Sequence, residues 1–262
     1  QSLPFSLHPL DKTFVGPKPI EEAPLSVFHE LEADGNLIIE RKRNGHCSYI
    51  TNGGGKMNLY SSGINQLTEK VPGIASELRA LKMPKDTMVV GELFVSVSGV
   101  DDLGAFGGIA RSNSLRAVAM QKDMPVRLAM FNIVAHRGKS VIHYPYQDRL
   151  DMLRELCAKH PSDAVGVVDV LDMNFDTARK VVADNSWEGL VLYSKHAGST
   201  FRTDGRKEQP PRPHGCWKWK PYNEGDFVAT GWVPSTANKF KGLVKDLLIA
   251  QYDPVTRELV SW

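Results

Sequence analysis

NLIIERKRNGHCSYIT, residues 36–51, reads as a strand, a turn and a second strand. NLIIERK and HCSYIT are short runs rich in β-branched residues, and the Asn-Gly pair between them suits the positive φ of a tight hairpin. The expectation is a β-hairpin with Lys42 at a strand end beside the turn, between Arg41 and Arg43. Lysines at such positions are ordinarily solvated. The chemical alternative is a nucleophile: cationic neighbours and partial burial disfavour the ammonium and free a lone pair for attack on phosphorus.

Outward from this stretch, helix and strand patterns alternate. Ahead of it, Pro4, Pro9, Pro17, Pro19 and Pro24 suit an extended lead-in. After it, TNGGGK (51–56) reads as a hairpin turn; it is no P-loop, because Ile50 and Met57 stand where glycine and Ser/Thr are required. Ile74, Leu78 and Leu81 recur at helical spacing behind Pro72, whereas MVVGELFV (88–95) and VRLAMFNIV (126–134) read as buried strands. Between those strands GVDDLGAFGGIARSNS (99–114) is polar and glycine-rich, and the expectation is a mobile surface loop. QDRLDMLRELCAKH places Leu150, Leu153, Leu156 and Cys157 on one helical face; VGVVDVL (165–171) reads as a strand, NFDTARKVVADN as a helix and EGLVLYS (188–194) as a strand. TFRTDGRKEQPPRPHG is the clearest loop, and beyond CWKWKP the pieces FVATGWV, KGLVKDLLIAQYD and ELVSW are strand-like with no helix between them. These patterns predict a mixed fold of helices and strands over a large domain, 1–223, and a small β-rich unit without helices over 224–262.

Composition narrows the class less than the motifs do. With 32 Lys+Arg against 30 Asp+Glu the net charge is +2, so any nucleic-acid surface must be local. Cys47, Cys157 and Cys216 are odd in number and widely spaced, which indicates neither a disulfide framework nor a zinc site and fits a reducing compartment. QSLPFSLHPLDK lacks the pattern of a secretory signal and no apolar run is long enough to span a membrane, so a soluble, intracellular protein is expected. The histidines show no H-E-x-x-H pairing and there is no G-x-S-x-G elbow, which removes zinc-protease and serine-hydrolase readings.

ERKRNG resembles the K-x-(D/N)-G signature of the covalent nucleotidyltransferases, the superfamily of DNA ligases, RNA ligases and mRNA capping enzymes. Further motifs follow in that family's order: VVGELF with Glu92, LAMFNIV with Phe131, WEGLVLY with Glu188, and CWKWKP with Lys218 and Lys220. The resemblance implies an α+β fold: an ATP-grasp-like ligase core of antiparallel sheets flanked by helices, followed by a small β-rich OB-type unit. It implies Lys42 as the catalytic nucleophile that takes AMP from ATP, and Glu40 at the base with Phe131 stacked on adenine. It places Glu92 at the ribose, Lys218 and Lys220 (with Arg43) at the phosphates, and Glu188, with Glu92, near a divalent Mg2+ or Mn2+. Lys218 and Lys220 alternate along a strand and so point the same way, with Trp219 opposite.

The helix after FNIV and the turn to GDFVATGW resemble the DNA ligases in particular. The implied activity is therefore ATP-dependent sealing of nicked duplex DNA through lysyl-AMP and 5′-adenylylated DNA, by a monomer in the cytoplasm of a bacterial or viral host, or in a nucleus. An RNA ligase of the same superfamily and a non-catalytic nucleic-acid-binding module on the same fold are the alternatives. Cys47 and Ser62 stand where the family carries arginine, and Arg41, Arg43 and Arg111 are candidates to compensate. Asp226 to Trp262 is short for the five strands of an OB barrel, and Lys239, Lys241 and Lys245 are its candidate DNA-facing cations.

Overall fold

The protein is described by a computed structural model over residues 18–19, 23–199, 214–221, 227–253 and 256–261. Most of the proline-rich lead-in and residues 200–213 of the polar loop lie outside these described residues. The chain divides into two compact units, Gln1–Pro221 and Tyr222–Trp262.

The first unit runs β1 (Lys18–Pro19), α1 (Leu25–Ala33), β2 (Leu37–Lys42), β3 (His46–Gly53), β4 (Lys56–Ser61), α2 (Pro72–Ala80), β5 (Thr87–Val97) and β6 (Val100–Asp101). It continues through α3 (Leu103–Arg111), α4 (Ser114–Met120), β7 (Val126–His136), β8 (Lys139–Ser140), α5 (Tyr146–Ala158), β9 (Val165–Val167), α6 (Phe175–Asp184), β10 (Gly189–Ser194) and β11 (Cys216–Trp219). These strands form two sheets. One has the order β1-β11-β10-β2; the other has the order β4-β3-β5-β7-β8, with β6 added to β5 and β9 to β7.

The expected hairpin at 36–51 does not form. β2 pairs with β10 in the first sheet, whereas β3 pairs with β4 and β5 in the second. The Asn44-Gly45 step is therefore a crossing between sheets rather than a turn within one. Gly45 is required by contact, not by a positive φ: a Cβ there would lie 2.2 Å from the Leu93 carbonyl oxygen. The turn at 51–56 is a hairpin as read, with Gly54 and Gly55 both at positive φ.

The stretch expected as a mobile loop over 99–114 is instead mostly helical. Asp102 caps α3 by accepting from the Ala105 N–H, and Asn113 caps α4 by accepting from the Arg116 N–H. Phe106, Ile109 and Ala117 from these helices are fully buried in the main core, beside Ile50, Leu59, Ile74, Leu78, Val89 and Leu93. Apolar burial outweighs the cost of the glycines in the helix.

Only the first three residues of VGVVDVL form the expected strand. β9 pairs with β7 in parallel, and the chain then leaves the second sheet for the first: the Arg41 N–H donates to the Asp169 carbonyl at 2.9 Å and the Leu171 N–H to the Ile39 carbonyl at 2.8 Å. One extended segment thus stitches the two sheets together.

On the outer face of the first sheet, Ile39, Leu190 and Leu192 pack with Phe28 of α1 and Phe175 of α6, joined by partly buried Trp217 and Trp219. Its inner face presents Ile38, Tyr193 and Cys216 to Tyr146 and Leu150 of α5. The second unit, described separately, is an antiparallel sheet of β12 (Val228–Pro234), β13 (Val244–Tyr252) and β14 (Leu259–Ser261). Trp232, Leu247, Leu248 and Tyr252 are all more than half exposed on it. The observed architecture is the α+β arrangement of antiparallel sheets and flanking helices read from the sequence.

Candidate active site

The register of the first sheet fixes which side chains share a face. Glu40, Val191 and Lys218 are cross-strand partners in one row, and Lys42 faces Gly189 two residues on. Side chains two apart on a strand point the same way, so Glu40, Lys42, Lys218 and Lys220 all project from the inner face. Gly189 has no side chain to fill the space between Lys42 and Lys220. A Cβ on it would lie 2.1 Å from the Trp219 carbonyl oxygen, which explains the glycine of the E-G pair by close approach.

Glu188 lies between two of these lysines. Lys42 Nζ lies 2.5 Å from its Oε2 and Lys220 Nζ lies 2.6 Å from its Oε1, so one carboxylate bridges two ammonium groups. From the second sheet, Glu92 on β5 approaches the same point and feels the charges of both Lys42 and Glu188. Burial, reinforced by the neighbouring Glu188 and Asp101 carboxylates, pushes the Glu92 carboxyl up to about 8, although Lys42 and a hydrogen bond from the Gly45 backbone oppose the rise. Glu92 lies inside β5 rather than at its end.

The arginines flanking Lys42 do not act on it as the sequence suggests. They alternate with Lys42 along the strand and turn away from it. Arg43 pairs with Asp101 at 3.1 Å and with Asp169 at 2.6 Å, and Arg41 pairs with Asp101 at 3.4 Å and donates to the Gly99 carbonyl at 2.9 Å. Their guanidinium groups lie over Trp187 and Phe94 at 4.3 and 4.5 Å. Asp101 also accepts from the Asn44 N–H at 3.2 Å, and its side chain is only 3% exposed. The charged neighbour of Lys42 is therefore acidic, and the arginines serve an adjacent ion cluster that pins the sheet crossing. Sequence reading did not find Asp101 or Asp169; Asp101 sat in a stretch read as a loop.

Two residues back from Lys42 along β2 the groups are buried. Glu40 is 1% exposed, and its carboxyl contacts the Tyr146 hydroxyl. The same hydroxyl lies 2.9 Å from the carbonyl oxygen of Phe131. Phe131 is the extra residue at a register shift, since Val90 pairs with Asn132 and Gly91 with Met130. A bulge of this kind re-aims a side chain, and here it leaves Phe131 partly exposed in a strand otherwise buried around it.

Cys47 and Ser62, the positions where the resemblance expects arginine, are neighbours: the Ser62 N–H donates to the Cys47 carbonyl at 3.0 Å. Cys47 is the register partner of Glu92, and burial raises its thiol far above the ordinary range. Of the three arginines considered as substitutes, Arg41 and Arg43 are engaged in the ion cluster, while Arg111 is exposed at the end of α3, where its charge reaches His46.

Two facing sheets with a lysine, paired carboxylates and a second lysine on their inner faces define a nucleotidyltransferase domain. The chain belongs to the ATP dependent DNA ligase domain family, whose description matches residues 22–209. It is 24% identical over 214 residues to DNA ligase 1 of Methanosarcina barkeri, covering 76% of this chain and 37% of that protein. It is 25% identical over 234 residues to the DNA ligase of Thermococcus fumicolans, covering 88% and 40%. The chain thus spans well under half the length of these relatives. Its fold is similar to that of mycobacterial DNA ligase D complexed with ATP and MES (TM-score 0.53, 18% identity, 86% of this chain and 65% of that one). It is also similar to the bacteriophage T7 ATP-dependent DNA ligase in complex with ATP (TM-score 0.52, 17% identity, 96% and 81%).

Proposed function

We propose that this chain is the nucleotidyl-transfer core of an enzyme that seals nicks in duplex DNA, with Lys42 as its nucleophile. The observation that carries the reading is the bridged carboxylate of Glu188, held between Lys42 and Lys220 on the sheet face that also carries Glu40, whose tyrosine partner contacts Phe131. In the first step the Lys42 amine attacks the α-phosphorus of ATP, a P–N bond forms and pyrophosphate leaves with the electrons of the broken P–O bond. AMP then passes to a DNA 5′-phosphate, and a 3′-hydroxyl displaces it.

Lys218 and Lys220 offset the charge that builds on the phosphate oxygens, and Phe131 offers a stacking face to adenine. Arg43, held by Asp101 and Asp169, acts on this site by fixing the strand end that carries Lys42. The described residues include no cluster of three or more metal-ligating side chains. Glu188 and Glu92 are the carboxylates that would hold a Mg2+ or Mn2+ ion, since both are hard oxygen ligands of the kind such an ion takes. Such an ion supplies charge neutralisation at the transferred phosphate.

The second unit is read as an OB-type β unit that follows the duplex backbone, with the exposed Lys239, Lys241 and Lys245 as its cations and a contact that weakens with salt. The enzyme is taken as a monomer working in a compartment that holds DNA. Among the described residues no helix is long and apolar enough to cross a membrane. The test is a nick-sealing assay with ATP, on duplexes whose sealed strand is DNA or RNA, over a range of salt. Sealing of DNA that falls as salt rises is expected. Sealing confined to RNA strands would assign the chain to the RNA ligases, and binding of nicks without sealing would make it a non-catalytic module.

A further inference from the structure

Tyr146, at the start of α5, touches both Glu40 and Phe131, and its single proton limits how it can do so. Its hydroxyl is within hydrogen-bond distance of Glu40 Oε1 and of the Phe131 carbonyl oxygen. A phenol has one proton to donate, and a carbonyl oxygen only accepts. A proton shared between Tyr146 and Phe131 is therefore Tyr146's own, and the contact with Glu40 then needs a proton from Glu40. An ionised Glu40 would set two acceptors against one O–H. A neutral Glu40 satisfies the three groups in one direction, donating to Tyr146, which donates to Phe131.

The surroundings favour the same state. Burial pushes the Glu40 carboxyl up to about 8; a Tyr146 hydroxyl that donated to an ionised Glu40 would oppose that rise, as the Arg154 charge does, and does not outweigh it. From α5 the charged groups are Arg149 and Arg154, and the Arg149 guanidinium is already committed to the carbonyls of Ile142, Tyr144 and Ala197. From β10 comes Tyr193, stacked on Tyr146 at 3.7 Å, and from β11 come Cys216 and Lys218. Lys42 projects from the same face two residues along, roughly 7 Å away.

We propose that Tyr146 is a positioning residue that commits the proton of a neutral Glu40, so that the carboxyl presents only an acceptor to the bound base and selects a 6-aminopurine over a 6-oxopurine. This deepens the reading of this sheet face as a nucleotide site and rests on it. An exocyclic amino group donates to that acceptor, whereas a 6-oxo group meets it lone pair to lone pair. Without the Tyr146 hydroxyl the acid is free to turn its own proton toward the base and to accept either purine.

The test compares self-nucleotidylation by ATP and by inosine triphosphate, which carries the 6-oxo group, in the wild type and in Tyr146→Phe and Glu40→Gln. Labelling of the wild type by ATP checks the nucleotide reading separately, and its absence would overturn both claims. In Tyr146→Phe the ATP-to-ITP ratio of kcat/KM is expected to fall about tenfold, the worth of one neutral hydrogen bond. Glutamine imitates the neutral acid, donating its amide N–H to Tyr146 and turning its carbonyl to the base. Glu40→Gln is therefore expected to keep the ratio in favour of ATP whatever its rate. An unchanged ratio in Tyr146→Phe, or a ratio lost or inverted in Glu40→Gln, would overturn the proposal. If Tyr146→Phe does not fold, the Glu40→Gln ratio decides alone.

Discussion

Lys42 and Glu40 project from the same face of one strand, two residues apart, yet sit in opposite environments. Lys42 is partly exposed and paired with a carboxylate that a second lysine also holds, whereas Glu40 is buried against a tyrosine and a backbone carbonyl. The first is an electrostatic balance that an incoming polyanion can disturb. The second is a fixed hydrogen-bond pattern. Nucleotidyl transfer needs groups that can change partners, and recognition of a base needs groups that cannot, so the proposed function puts chemistry at one end and selectivity at the other.

The largest expected effect lies at the Lys42 end. Lys42→Ala removes the amine and is expected to reduce self-adenylylation to background while sealing of a pre-adenylylated nick survives. Gel assays of both steps check the split, and loss of both together would make Lys42 a structural residue instead.

Next come the two inner-face lysines that follow β10, one in the Glu40 row and one paired with Glu188. Lys218→Ala and Lys220→Ala are each expected to slow adenylylation by roughly 10²-fold, as for removal of one group that stabilises developing negative charge. Both sites are partly or fully exposed, so thermal midpoints should barely move. Melting curves beside rates distinguish this from a packing role, which would lower both.

The ion cluster on the far side of β2 should respond in the reverse sense. Asp101→Ala strands Arg41 and Arg43 without their shared partner, and breaking a buried pair costs roughly 3–5 kcal/mol. Denaturant unfolding is expected to show that loss, with adenylylation falling because the crossing at Asn44 is no longer pinned. Full stability in Asp101→Ala would mean that the cluster is not what holds the strand end.

The last effect is a pH dependence at the Glu40 end, which leaves the reaction rate at a fixed pH aside and is read in stability alone. On the proposal of a neutral Glu40, burial holds its carboxyl up at about 8 in the folded protein, while an unfolded carboxyl loses its proton near 4.5. The folded state therefore holds the extra proton, and the stability this group contributes is fully present below pH 4.5 and lost as pH rises through about 8. Glu40→Gln has no such loss, so its thermal midpoint relative to wild type should climb between pH 5 and pH 8.5. A difference that stays flat over that range would show that Glu40 is ionised in the fold.

The two ends were not equally legible in the sequence. Lys42, Glu188 and Lys220 could be picked out only together, as an ordered set of motifs that resembles the covalent nucleotidyltransferases; singly, each reads as an ordinary surface residue. Glu40 and Phe131 could be named, but not the tyrosine that joins them, because Tyr146 lies 106 residues from Glu40 and looks like any apolar helix start. The partition of β2 and β3 between sheets was hidden for a related reason. Asn-Gly serves a positive-φ turn and a close approach equally well, and only the Leu93 carbonyl, far along the chain, separates the two. In α3 the capping Asp102 and the pair Phe106 and Ile109 at helical spacing were legible signals, outweighed in the reading by three glycines.

The most direct test of the central claim is intact-mass and peptide-level mass spectrometry of the purified chain after incubation with ATP and Mg2+. The account predicts one AMP per chain, acid-labile as a phosphoramidate is, on the peptide that carries Lys42 and absent from Lys42→Ala. An adduct on another residue, or labelling that persists in Lys42→Ala, would contradict it.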